Sequence, residues 1–252
     1  MLTRRLIPSL LLRGGRLVKG VQFKDYRDAG MPDTTARAHN AQGADELILL
    51  DIDASREGRA MDLETVRKVA AECYMPLTVG GGIRSLADAR ACMQAGADKL
   101  CVNTTALDDP DLITHLAKVF GSQAVVLGVD ITGDADAPKL YDHRSGTVVP
   151  DIDPMGWLTR GVELGVGEIR LAAVYREGTR KGMDLKLLQR VQELVSVPVI
   201  LEGGAGTLDQ LGETMSAGAD GVAVGTMLVF SDNNLVKVKR YLAAAGHDMR
   251  IA

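Results

Sequence analysis

The chain repeats itself. Residues 76–104 align with residues 198–226 without a gap at an offset of 122, pairing Pro76 with Pro198, Gly81 with Gly203, Gly82 with Gly204, Leu86 with Leu208, Asp98 with Asp220 and Thr104 with Thr226. The same offset pairs Glu46 with Glu168 and the triplet Met61-Asp62-Leu63 with Met183-Asp184-Leu185. A period near half of the 252 residues is too long for a solenoid and reads as a duplicated half-domain.

Within each half, short apolar runs alternate with amphipathic stretches, which is the pattern of βα units around a parallel sheet. The runs Leu6–Leu12, Leu47–Leu50, Leu77–Val79, Leu100–Val102, Ala124–Val129, Ile169–Ala172, Val199–Leu201 and Gly221–Val224 are read as eight strands, four per half. Helices are expected between them, for example over Asp62–Cys73 and over its repeat mate Asp184–Val195. An open doubly wound sheet needs two edges and a switch in strand order. A four-plus-four repeat instead closes into a (β/α)8 TIM barrel, expected here as one domain over residues 1–252.

Composition excludes several functions. Net charge is −4, so the broad positive surface of a non-specific nucleic-acid binder is missing, and no nucleic-acid partner is expected. No apolar run approaches the roughly 20 residues needed to span a bilayer, so no membrane association is expected. Cys73, Cys92 and Cys101 are odd in number and fit neither a zinc ribbon nor a CxxC pair, which suggests reduced core thiols and a cytoplasmic protein. His39, His115, His143 and His247 lack metal-ligand spacing and are assigned surface or helix roles; Trp157 is read as packing. No metal and no cofactor are expected.

A barrel of this kind carries its chemistry on the loops after its strands. Gly80-Gly81-Gly82 and Gly203-Gly204 follow one strand in each half, with Ser85 and Thr207 as helix N-cap candidates; Asn103-Thr104 and Gly225-Thr226 follow the next strand. A glycine pair beside a hydroxyl-bearing turn makes a phosphate cradle, and the repeat makes two, implying a ligand phosphorylated at both ends. The other reading is that the glycines only turn the chain. Asp130 directly follows the fifth apolar run and should face the mouth as an acid/base group, the structural alternative being a cap or loop hydrogen bond. Asp51, Asp53 and Glu177 also lie at strand ends. Lys19 to Gly30 reads as a long basic loop suited to a lid, with Lys19 the best candidate for meeting a phosphate.

The motifs Arg4-Arg5-Leu6-Ile7-Pro8, Gly15-Arg16-Leu17-Val18-Lys19-Gly20, Val79-Gly80-Gly81-Gly82-Ile83, Asn103-Thr104, Asp130, Glu177-Gly178-Thr179 and Gly203-Gly204-Ala205-Gly206 resemble HisF, the family of cyclase subunits of imidazole glycerol phosphate synthase. The resemblance spans essentially the whole chain. It implies a barrel that binds a bis-phosphate ribonucleotide at its C-terminal face and docks a HisH-type glutaminase at the other, with ammonia passing through the bore. It places the phosphate and substrate contacts at Lys19, Asp51, Gly81, Gly82, Asn103, Thr104, Glu177, Gly178, Thr179, Gly203, Gly204, Gly225 and Thr226. It places an ammonia gate at Arg5, Glu46, Lys99 and Glu168, with Asp98 at a docking position. The other reading of the four gate charges is an ion-pair plug.

The chain departs from the family at one position of consequence. The cyclase pairs an aspartate after the first strand with one after the fifth. The fifth-strand residue is Asp130, but aligning the halves through Gly14 and Gly133 puts Leu11 where the first should stand. The sixth loop reads Tyr175-Arg176-Glu177 where the family has Asp-Arg-Asp. Ser9-Leu10-Leu11-Leu12 is similar to HisF-like paralogs of the WbuZ type, which implies ammonia supply to amidation of a surface-polysaccharide sugar, with a sugar amidotransferase as a further partner. The alternatives are a working cyclase of histidine biosynthesis in which Asp130 acts with Asp51, Glu177 or water, and a non-enzymatic scaffold that activates its glutaminase. A sister isomerase barrel shares the repeat but is opposed by the four gate charges.

Overall fold

The structure is a computed structural model that describes residues 3–251; residues 1, 2 and 252 of the expected domain lie outside it. Eight parallel strands, β1 (Arg5–Arg13), β4 (Leu47–Asp51), β5 (Leu77–Gly80), β6 (Lys99–Val102), β7 (Val125–Thr132), β10 (Glu168–Ala173), β11 (Val199–Glu202) and β12 (Gly221–Val224), pair in that circular order. The β10–β7 and β1–β12 pairings close the ring. The eight expected strands are these eight, each within a few residues of its apolar run. Helices α1 (Pro32–Ala41), α2 (Leu63–Ala70), α3 (Leu86–Gln94), α4 (Thr104–Asp108), α5 (Asp111–Phe120), α6 (Pro154–Leu164), α7 (Leu185–Gln192), α8 (Leu208–Ser216), α9 (Thr226–Val229) and α10 (Leu235–Ala244) lie between and after the strands.

Alternation along each strand divides the interior in two. In β1, Leu6, Leu10 and Leu12 join the large apolar layer beneath the helices, whereas Ile7 turns inward to meet Ile48, Ile200 and Ala223. Most of the core is the outer layer. Truncating one of its fully buried members, such as Leu127, to alanine should cost about 2–5 kcal/mol.

The repeat is visible in the caps. Asp62 accepts hydrogen bonds from the Glu64 and Thr65 amides at the start of α2, and Asp184 accepts from the Leu187 amide at the start of α7. Ser85 accepts from the Asp88 amide, and Thr207 from the Gln210 amide in a reciprocal capping box. At the N-terminal rim, aspartates tie neighbouring segments. Asp45 accepts from the Leu6 amide at 2.8 Å, Asp98 from the Leu77 amide at 2.8 Å, and Asp220 from the Val199 amide at 2.9 Å.

One expectation is corrected. Residues 19–30 are not a loop but most of a hairpin, β2 (Arg16–Val21) and β3 (Lys24–Gly30), paired antiparallel. Its two-residue turn, Gln22-Phe23, has φ of +51° and +60°, the backbone of a type I′ turn without the usual Asn-Gly. Docking holds that conformation: the Gln22 amide donates to the Glu177 carbonyl at 2.9 Å, and its side chain donates to the Tyr175 carbonyl. A second small hairpin, β8 (Lys139–Asp142) with β9 (Thr147–Val148), rises after β7. Among the described residues no helix is long and apolar enough to cross a membrane.

Candidate functional site

At the N-terminal end of the bore, four inward side chains form a closed ring. Arg5 reaches Glu46 at 3.0 Å and Glu168 at 2.6 Å, and Lys99 reaches the same two carboxylates at 3.0 and 2.9 Å. Thr78 donates a further hydrogen bond to Glu46 at 2.8 Å. Both glutamates are buried, so each needs the two cations that flank it. Asp98 is exposed beside this ring, with one carboxylate oxygen committed to the Leu77 amide.

At the other end, the two halves build different walls. Leu11, Phe23, Tyr26, Asn103, Asp130 and His143 line one cavity, together with Gly81, Gly82, Thr104 and Arg170. Leu11 packs with Val18, Ile52, Leu50 and Tyr26, so the first-strand position is apolar in its surroundings as well as in identity. Gly81 has φ +101°, and a Cβ there would collide with the Asp51 carbonyl; its mate Gly203 has φ +104° and the same relation to the Ala173 carbonyl at 2.7 Å. Close loop packing therefore demands these glycines whatever they bind.

A second cavity is lined by Lys19, Gly20, Arg27, Gly178, Arg180 and Thr226. The Lys19 side chain lies against Gly225, where a Cβ would strike its ammonium. Lys19 is only 2% exposed, and neither its Nζ nor the buried Thr226 hydroxyl has a partner among the described residues. Two buried polar groups without hydrogen-bond partners on one wall fit an anion, which would satisfy both while the charge of Lys19 is also felt by the buried Glu177 and Glu202. The hairpin covers this side, with Arg27 stacked on the Phe230 ring at 4.3 Å.

Between the two cavities sits a buried ion cluster. Arg170 Nε donates to Glu202 at 2.5 Å and its Nη1 to Asp130 at 3.4 Å, while Asn103 donates to the other Asp130 oxygen at 2.9 Å. Burial pushes the Asp130 carboxyl above its ordinary range, against the pull of Arg170 and His143. Burial also raises Glu177, opposed first by Lys19. Glu202 is buried too, yet Arg170 and then Lys19 hold it below the ordinary range. Asp130 and Glu177 are thus the mouth carboxyls biased towards carrying a proton at higher pH than usual.

The remaining expectations divide. Asp51 lines the first cavity, but its carboxylate is spent on Arg59 at 2.6 and 3.0 Å and on the Asp53 and Ala54 amides. Asp53 is paired with Arg13 at 2.9 Å. The Thr179 hydroxyl donates to the Arg176 carbonyl at 2.7 Å, holding the loop that presents Gly178. Gly204 packs against Gly182 and Arg176 beneath that loop. The surface or helix role expected of His143 is corrected. It sits on the turn between β8 and β9, lines the first cavity, makes a T-shaped contact with Phe23 at 5.5 Å and has Nε2 2.7 Å from the Ile52 carbonyl. Its strand pairing is short and polar, so nothing in the local pattern pointed to the mouth. Arg170 and Glu202 were also missed, although the two-residue spacing of Arg170 from Glu168 signals that it faces the bore. Among the described residues no three His, Cys, Asp or Glu side chains are grouped as a metal site requires.

Comparison with known proteins supplies an independent line. A family model described as "Histidine biosynthesis protein" matches residues 5–234. The imidazole glycerol phosphate synthase subunit HisF of Exiguobacterium sibiricum is 42% identical over 250 residues, covering 99% of this chain and 100% of that one. The subunit of the same name from Mycobacterium tuberculosis is 44% identical over 255 residues, covering 98% and 94%.

Proposed function

Since the chain belongs to the HisF branch of the histidine biosynthesis family, we propose that it is the barrel subunit of an imidazole glycerol phosphate synthase, closing a ring on a bis-phosphate ribonucleotide with ammonia from a HisH-type glutaminase. The observation that carries this reading is the pair of unlike anion sites flanking Asp130. Lys19 and Thr226 wait unpartnered on one side, and the Gly81-Gly82 and Asn103-Thr104 turns stand on the other. A ligand phosphorylated at both ends would lie across the mouth with its middle over Asp130. Asp130 is the group to move the proton, and Asn103 and Arg170 orient its carboxylate. The ring of Arg5, Glu46, Lys99 and Glu168 suits the entry of a small neutral molecule, and the exposed Asp98 beside it suits partner docking.

Leu11 favours a second reading. A cyclase that lacks one positioned carboxyl should lose on the order of a hundred- to ten-thousand-fold in rate. On the second reading the barrel passes ammonia on to amidation of a surface-polysaccharide sugar, carried out with a sugar amidotransferase. The names of the relatives favour the first. The deciding experiment is formation of imidazole glycerol phosphate from ammonium and the bis-phosphate ribonucleotide. Turnover that disappears in Asp130→Asn and changes little in Leu11→Asp supports the cyclase. No turnover in the natural sequence, restored in part by Leu11→Asp, supports the second reading.

A further inference from the structure

The bore is charged at two levels, and the upper one is not explained by ammonia entry. Above the ring at Arg5 lies an apolar layer of Ile7, Ile48, Ile200 and Ala223; Arg170 springs from this level, in register with Ile200, and its guanidinium reaches on towards the mouth to Glu202 and Asp130. Its β7 register partner is Gly128, which has no side chain, and the Cys101 Sγ lies 3.1 Å from where a Gly128 Cβ would be. The space that these small residues leave is available to the guanidinium. Arg170 is 4% exposed and is anchored on both flanking strands, to Glu202 on β11 and to Asp130 on β7. A barrel of eight strands has an interior just wide enough for side chains, so an arginine at this height occupies the path between the lower ring and the mouth.

We infer that Arg170 is both a second barrier across the bore and the positioning residue for Asp130, so that a small molecule passing upward must displace the side chain that orients the mouth's proton-transfer group. The passage half of this rests on the proposed function; the barrier and the positioning do not. The ligand class follows from the anchors. What passes must be neutral and about the size of ammonia, since a cation would be repelled by the guanidinium and an anion would be held by it. Withdrawal of Arg170 leaves Asp130 with the Asn103 amide and Glu202 with only the weaker pull of Lys19, so the barrier recloses once the molecule has passed.

Two measurements on the full chain test the two roles without substrate or partner. The first is the rate at which methyl methanethiosulfonate labels Cys101, read by peptide mass spectrometry. Cys92, on the buried face of α3, reports general opening of the fold. Cys101 borders the first cavity beside Arg170 but is only 5% exposed, so it should label slowly in the natural sequence. In the double variant Arg170→Ala/Glu202→Gln it should label at least tenfold faster, with Cys92 unchanged. In Arg170→Met, which refills the space without charge, it should stay slow. Burial already pushes the Cys101 thiol up to about 12 and Arg170 draws it down. Glu202 pushes the thiol the other way but more weakly than Arg170, so removing both still slows labelling electrostatically, and acceleration comes from access. Rapid labelling of Cys101 in the natural sequence, or no acceleration in a folded double variant, overturns the barrier.

The second measurement is the carbon-13 titration of the Asp130 carboxyl. The groups facing it are Arg170, His143, Glu202 and Asn103, with Glu177, Tyr26, Tyr141 and Cys101 in the same field. Arg170→Met should move its midpoint upward by about 1–3 pH units, and Arg170→Lys should restore part of that shift. An unmoved midpoint overturns the positioning role. If ammonium-dependent turnover is absent while both readouts behave as stated, the proposed reaction fails and the assignment of Arg170 stands.

Discussion

The two halves of this barrel are near copies in their scaffold and unlike in their chemistry. The β5/β11 and β6/β12 strand lengths, the caps Asp62/Asp184 and Ser85/Thr207 and the tie Asp98/Asp220 recur at an offset of 122 residues, and the lower ring uses the repeat mates Glu46 and Glu168 symmetrically. At the mouth the symmetry is gone. The first half offers Leu11 and an aromatic wall from Phe23 and Tyr26; the second offers Asp130, Glu177, Arg170 and Glu202. Duplication fixes what closure needs, namely register, caps and turns. It leaves the mouth-facing side chains of the strands free to diverge, because the ladder at Leu11, Asp130, Arg170 and Glu202 is made by backbone alone.

The largest expected effect falls on the chemical side of this contrast. Asp130→Asn keeps shape and the Asn103 contact but removes the proton-transfer group, so ammonium-dependent turnover should fall on the order of a hundred- to ten-thousand-fold in a steady-state assay. Equal activity would erase the asymmetry between Leu11 and Asp130. Next is the shared ring. Lys99→Met leaves two buried carboxylates with Arg5 alone, and urea unfolding should show a loss of about 3 kcal/mol. The two anion sites are compared through Lys19→Met, which should weaken binding of inorganic phosphate by roughly ten- to a hundredfold, in line with about 1.5–3 kcal/mol for a charged hydrogen bond. Unchanged phosphate binding would leave the second cavity without its ligand.

Acid should act unevenly as well. Burial drives His39 on α1 down to about 4 from 6.5, so the folded protein keeps it neutral where the unfolded chain is protonated. The unfolded state then binds more protons, and stability should fall as pH drops from 6.5 towards 4, by an amount that His39→Gln reduces. Smallest are the caps. Ser85→Ala and Thr207→Ala should each lower stability by about 1 kcal/mol. A large difference between them would show that the scaffold, too, has diverged.

Much of this was legible from residues. The doubled Gly-Gly turns, the apolar runs and the cap candidates Ser85 and Thr207 announce the barrel because each is a local requirement of the backbone. The four ring charges were legible through resemblance and through the pairing of Glu46 with Glu168. What escaped depends on distant contacts. The Gln22-Phe23 turn has no sequence signature and is held by the sixth loop, His143 comes to the mouth on a short polar hairpin, and Arg170 is tolerated inside an apolar strand only because Glu202 and Asp130 arrive from its neighbours. Asp51 illustrates the reverse: it reads as a substrate contact, yet Arg59 already holds both its oxygens.

The aspartate ties at the lower rim have a mechanical consequence. Asp45, Asp98 and Asp220 each fasten a loop to an amide at the start of another strand, and Asp45 is further pinned by Lys239 at 2.6 Å. That end behaves as a stiff base plate, whereas the hairpins above it are held by few bonds. A protein seated on the plate has little backbone to bend. It would have to send its signal upward through the rotation of individual long side chains, and the barrel would act less like a bellows than like a lock with tumblers.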